Sequence, residues 1–201
     1  MGRIVLIDGE NLVHGIRNLA ANGKEKVSRE KLLGFPYRKL IQTVLEDESK
    51  AQFFFYGAKL REIKQDKKLL NKSKEIIKWQ SRLVNDLQKE GIQFVKVGNL
   101  RARERDPCPK CQHQEWHLIE KGVDVGLAVA MVSQANRNNE IVLVSSDTDL
   151  LPAVRIAKQS SKLIYIGYEN NLVVSLVRNT HLTRVITEQM VDKFLKEISK
   201  I

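Results

Sequence analysis

Apolar residues along this chain alternate between short continuous runs and longer stretches with helical spacing. Arg3–Ile7 is a compact apolar run, the pattern of a strand buried on both faces. Ala51–Gly57, with three consecutive phenylalanines, is a second, and Ile92–Val97, Ile141–Ser145 and Leu163–Gly167 complete the set. Between them lie helical patterns. Asn11–Ala21 is closed by Asn22-Gly23, and Tyr37–Glu48 begins just after Pro36. Glu62–Glu90 ends at Gly91, either as one helix or as two broken near Asn71-Lys72-Ser73. Gly122–Asn136 and Leu150–Gln159 follow, and Asn171–Val177 and Thr187–Ile198 flank a small strand at Leu182–Ile186. Strands separated by helical crossovers imply an α/β fold, a three-layer sandwich around a mainly parallel central sheet of about five strands.

Composition narrows the class. The 201 residues predict one domain over 1–201, and 42% hydrophobic with 29% charged residues is a globular balance. The one break in the pattern is Arg101–Trp116, irregular and basic, which reads as an insertion at about 99–119. Residues 187–201 read as a C-terminal helical extension. No apolar run approaches the roughly 20 residues of a membrane span. The opening Met1–Asp8 segment is too short and too soon acidic for a signal peptide. With two cysteines only, these features predict a cytoplasmic protein.

The formal net charge is +10, and it is concentrated. Lys59–Arg105 holds 14 Lys and Arg against 6 Asp and Glu, while the rest of the chain is close to balance. A basic stretch on a neutral body suits a polyanion partner; a solvated lysine-rich helix is the plainer explanation.

The acids change that picture. In parallel sheets, ligands sit beyond the carboxyl ends of the strands. The first strand runs into Asp8-Gly9-Glu10-Asn11, and the fourth into Ser145-Ser146-Asp147-Thr148-Asp149. Asp124 stands in the first turn of the Gly122–Asn136 helix, which begins at the same edge if the third strand feeds it directly. Carboxylates crowded together repel one another, and a hard divalent cation relieves the repulsion. Each acid alone is explained as a cap or a turn residue. Those explanations do not account for an Asp at every corner of one rim.

These motifs resemble the NYN-domain, PIN-like ribonuclease family. The resemblance rests on Asp8-Gly9-Glu10-Asn11 after a strand, Lys121-Gly122-Val123-Asp124-Val125 opening a helix, and Ser146-Asp147-Thr148-Asp149-Leu150 after a strand. It covers roughly residues 4–167. It implies a PIN-like, Rossmannoid fold and hydrolysis of RNA phosphodiester bonds by water activated with carboxylate-bound Mg²⁺ or Mn²⁺. Carried over, Asp8, Asp124, Asp147 and Asp149 would be catalytic and metal-binding, and Asn11 would position substrate or water. Ser146 would support the site from the substrate side. The Arg101–Trp116 segment departs from the family pattern.

Other residues extend the expectation. Arg101, Arg103 and Arg105 suit a path along a single-stranded RNA, and Lys121 suits either a phosphate contact or balancing the acid cluster. Trp79 and Trp116 are candidates for base stacking, with packing the plainer role for Trp79. Cys108-Pro-Lys-Cys111, near His113 and His117, supplies half of a structural zinc site; a surface loop with free thiols is the alternative. A second copy of the chain, in a homodimer, would be one source of the missing ligands. Against the ribonuclease stands a non-catalytic RNA-binding or partner-recruiting module on the same fold. A phosphate-receiver domain would need an acid ending the third strand, where Val97 runs into Gly98-Asn99.

Overall fold

Seven strands form one sheet in the order β4-β3-β2-β1-β5-β6-β7, two more than the five main runs predict. The computed structural model describes residues 2–21, 27–48, 50–104, 106, 110–111, 116–137 and 139–198. β1 (Arg3–Asp8) lies at the centre, between β2 (Ala51–Lys59) and β5 (Glu140–Val144), parallel to both. β6 (Leu163–Tyr168) and β7 (Leu182–Ile186) extend the parallel arrangement on one side, and β3 (Ile92–Glu104) on the other. β4 (Trp116–Lys121) pairs antiparallel with β3 and closes that edge.

Alternation along the strands supplies two cores. Val5, Ile7, Phe53 and Phe55 point to one face, under α1 (Gly9–Ala21), α2 (Tyr37–Leu45), α3 (Lys67–Lys89) and α7 (Glu188–Ile198). Ile4, Leu6 and Tyr56 point to the other, under α4 (Val123–Ala135), α5 (Leu151–Ala157) and α6 (Val174–Asn179). The three-layer sandwich is therefore as the pattern predicts. α3 is one uninterrupted helix, started by Asp66, whose carboxylate accepts from the Leu69 N–H at 2.8 Å.

In the region expected to be an irregular insertion, the described residues 99–104 and 116–119 are strand. β3 does not stop at Val97; it bulges at Gly98 and runs on to Glu104, with β4 returning beside it. Polar residues at alternate positions conceal this extension, because a strand exposed on one face lacks the continuous apolar run of a buried one. The detour also changes how α4 reaches the carboxyl edge. β4, not the third strand, feeds it, yet Asp124 arrives where expected because β3 overshoots the edge and β4 comes back to it. Trp79 is buried, its indole N–H donating to the Arg29 carbonyl at 2.9 Å, so its role is packing; Trp116 is 41% exposed.

Candidate active site

β1 ends at Asp8 and α1 begins at the next residue, so strand turns into helix with no loop between. Gly9 permits this. A Cβ there would overlap the Phe55 ring and stand 2.6 Å from the Tyr56 carbonyl oxygen. The turn leaves Asp8 at the floor of the sheet's carboxyl edge, 9% exposed.

Hydrogen bonds lock this floor to the end of β5. The Asn11 N–H donates to Asp8 Oδ1 at 3.2 Å, and the Ser145 hydroxyl donates to Oδ2 at 3.0 Å. Ser145 Oγ also accepts from the Asp147 N–H at 3.1 Å, so one hydroxyl joins two acidic residues. Asn11 Oδ1 accepts from the Ser146 N–H at 2.9 Å. Asp147 in turn caps the 3₁₀ turn Thr148–Leu150, its Oδ1 accepting from the Asp149 N–H at 2.8 Å.

Above this floor opens a cavity of about 550 Å³. Asp8, Asn11 and Asp147 form one wall; Glu120, Lys121 and Asp124 form the other, with Glu10 and His14 of α1 between them. Burial pushes the Asp8 carboxyl up from its ordinary range, and the charges of Asp147 and Glu10 add to the rise against the Asn11 and Ser145 donors. Glu120 is shifted further. Burial carries it to about 7, with Glu10 and Asp8 repelling its charge while the Ala58 N–H and Arg29 favour it. Arg29 is itself ion-paired with Glu10.

The cavity thus brings together Asp8, Asn11, Asp124, Asp147 and Lys121 from the expected set. It leaves others apart. Ser146 stands behind the wall, its N–H on Asn11 and its hydroxyl 3.4 Å from the Asn171 carbonyl. Asp149 is exposed and lines a neighbouring groove between α4 and α5, beside Val129 and Ile156. Arg101 and Arg103 lie on the extension of β3. The cavity is also lined by Glu10, His14 and Glu120, which are outside the expected set. Glu10 was within reach of sequence reasoning, as the middle of Asp8-Gly9-Glu10-Asn11; Glu120 was not, because no strand was expected to carry it to the rim.

The sequence profile of the NYN domain matches residues 3–186. The chain belongs to the NYN-domain family. NYN domains have a PIN-like nuclease fold, and the family's members are in general nucleases. Among solved structures, this NYN domain is similar to a crystal structure of a protein of unknown function from Vibrio parahaemolyticus RIMD 2210633. The two share 16% identity with a TM-score of 0.53, and the match covers 92% of each chain. No curated protein matches the sequence.

The acids of the NYN domain can be tested against the divalent ions typical of such nucleases. Among the described residues, no three His, Cys, Asp or Glu side chains are grouped closely enough to cage a metal. That excludes a ready-made zinc-type cage there. Mg²⁺ and Mn²⁺ keep most of their waters and take as few as one or two carboxylates. Asp8 and Asp147, joined through Ser145, offer such a pair. For the cysteine motif, Cys108 and His113 lie outside the described residues. Cys111 is exposed with a free thiol, and His117 sits on β4 with its Nδ1 buried and lacking a hydrogen-bond partner. Among the described residues, no helix is long and apolar enough to cross a membrane.

Proposed function

We propose that this NYN domain is a metal-dependent ribonuclease that hydrolyses phosphodiester bonds of single-stranded RNA. The observation that carries the proposal is the convergence of acids from β1, α1, β4, α4 and the β5 end on one cavity whose floor, Asp8, is buried. Carboxylates repel where a phosphate must approach, so a pure binding site has no use for them. A bound Mg²⁺ or Mn²⁺ would neutralise that charge, lower the pKa of bound water and stabilise the developing negative charge on the phosphate.

The chain's own residues have distinct tasks. Asp8 and Asp147 would hold the ion, their carboxylates oriented by Ser145 and by the Asn11 and Asp149 N–H groups. Asp124, at the other wall, would complete the acidic set. Asn11 locks the two strand ends through its carbonyl, while its NH₂ group has no hydrogen bond among the described residues and suits a phosphate or water. Asp149 would act through Asp147, since it does not line the cavity. Ser146 would keep Asn11 in place. The depth of Asp8 favours a single strand, which can bend its backbone down to the floor as a stiff duplex cannot.

The test is cleavage of a panel of single-stranded and structured RNAs with Mg²⁺ or Mn²⁺, beside Asp8→Asn and Asp147→Asn. Cleavage in the wild type that is lost in both variants supports the assignment. RNA binding that persists in EDTA, with no cleavage on adding Mn²⁺, would instead make the domain a binding module.

A further inference from the structure

The β3–β4 ribbon has two faces of opposite character. Pairing sets Leu100 against Glu120 and Ala102 against Leu118 on one, and Asn99 against Lys121, Arg101 against Ile119 and Arg103 against His117 on the other. The first face is occupied. Leu100, Ala102 and Leu118 pack with Leu60, Ile63 and Leu69 in a small separate core, which ties the ribbon to the loop before α3. The second face holds Lys121, Arg101 and Arg103, all exposed. Among the described residues none of the three has an ion-pair partner, unlike Arg3, Arg29 and Arg82. Lys121 belongs both to this face and to the cavity wall, so the row of cations begins at the acids and leads outward.

We propose that this face is a backbone grip for single-stranded RNA, holding phosphates several positions along the strand from the one at Asp8. The proposal rests on the ribonuclease reading for its ligand. Charge complementarity selects the occupant, because unpaired guanidinium groups bind phosphate in preference to neutral partners. The small core makes the grip rigid. From Asn99 to Arg103 the strand advances by about 13 Å, so the outer arginine reaches beyond the phosphates flanking the cut. A dinucleotide would lack the groups that Arg101 and Arg103 hold.

The test is equilibrium binding of a single-stranded RNA of a dozen or more nucleotides in EDTA, over a salt series. The wild type is compared with Arg101→Gln/Arg103→Gln and with Lys74→Gln/Lys78→Gln, which removes equal charge from exposed positions of α3. Loss of each phosphate contact lowers the slope of log K against log salt by about 0.7 for a single strand. The ribbon variant is expected to lose about twice that and the α3 variant little, while dinucleotide binding stays unchanged. Equal slopes for wild type and ribbon variant, an equal fall in both variants, or an equal loss on the dinucleotide would overturn the proposal. Binding is read without cleavage, so the outcomes separate. A wild type that binds with this pattern but never cuts defeats the ribonuclease reading alone; one that cuts with an unaltered slope defeats the grip alone.

Discussion

The two walls of the cavity are built differently. The β1–β5 wall is cross-linked by five hydrogen bonds among Asp8, Asn11, Ser145, Ser146, Asp147 and Asp149. The β4–α4 wall presents Glu120 and Asp124 with far less support. Glu120 leans on the Ala58 N–H, and Asp124 has no hydrogen bond to its carboxylate among the described residues. A heavily hydrogen-bonded pair faces a sparsely bonded one. On the reading proposed here, the first wall would hold the ion and the second would face what the ion binds.

Breaking the heavily bonded wall should have the largest effect. Asp8→Asn is expected to lower cleavage by about 100-fold or more, on the scale of losing a principal electrostatic stabiliser. The same substitution should raise the thermal midpoint in EDTA at neutral pH. Burial raises the Asp8 pKa in the folded state, so its ionised form weakens the fold, and the amide does not ionise. Mn²⁺ should stabilise the wild type and leave the variant unmoved; a variant stabilised by Mn²⁺ as strongly as the wild type would place the ion elsewhere.

The sparsely bonded wall should show itself through pH. Glu120 titrates near 4.5 when unfolded and near 7 in the fold. Its contribution to stability is complete below the lower value and is lost as pH rises through the upper one. Urea unfolding in EDTA should then show the wild type losing about 3 kcal/mol between pH 4.5 and 8 from this group. Glu120→Gln should remove that part of the decline, and an identical decline in the variant would show that Glu120 is not its source.

Two smaller effects sharpen the contrast. Ser145→Ala removes the hydroxyl that joins Asp8 to Asp147, at a cost of about 1–2 kcal/mol for the donor and acceptor left unpaired. Cleavage should fall by about tenfold, with equilibrium unfolding and single-turnover rates as the two readouts. Asp149→Asn should change the rate less than about threefold, because only its backbone N–H touches the network. A loss approaching that of Asp8→Asn would place its carboxylate at the ion after all.

The same contrast explains what the sequence could reveal. Asp8 and Asp147 are legible because each lies at or just beyond the end of an apolar run, Asp8 directly after Ile7 and Asp147 three residues after Val144, and a strand's end fixes where the next residues lie. The parallel layers are legible for the same reason, since Phe53–Phe55 and Ile141–Val144 have no reading except burial. Glu120 is hidden because its position depends on β4 pairing with the overshoot of β3, a tertiary event that leaves no apolar periodicity. Asp149 differs in the opposite way. Two positions beyond Asp147, it reads as a partner in the site, but the capped 3₁₀ turn carries it round to the α4–α5 side.

The order of the strands has a consequence for the timing of activity. β1 is made first, yet its partner β5 lies some 137 residues later, so the Ser145–Asp8 contact is among the most non-local in the molecule. Such contacts form late and make folding slow. A chain still emerging from synthesis holds Asp8 and Asn11 long before Ser145, Ser146 and Asp147 exist to meet them. The floor closes only after nearly three-quarters of the 201 residues have been made. On the reading proposed here, a chain cut short before β5 ends keeps Asp8 and Asn11 but lacks the groups that complete the floor.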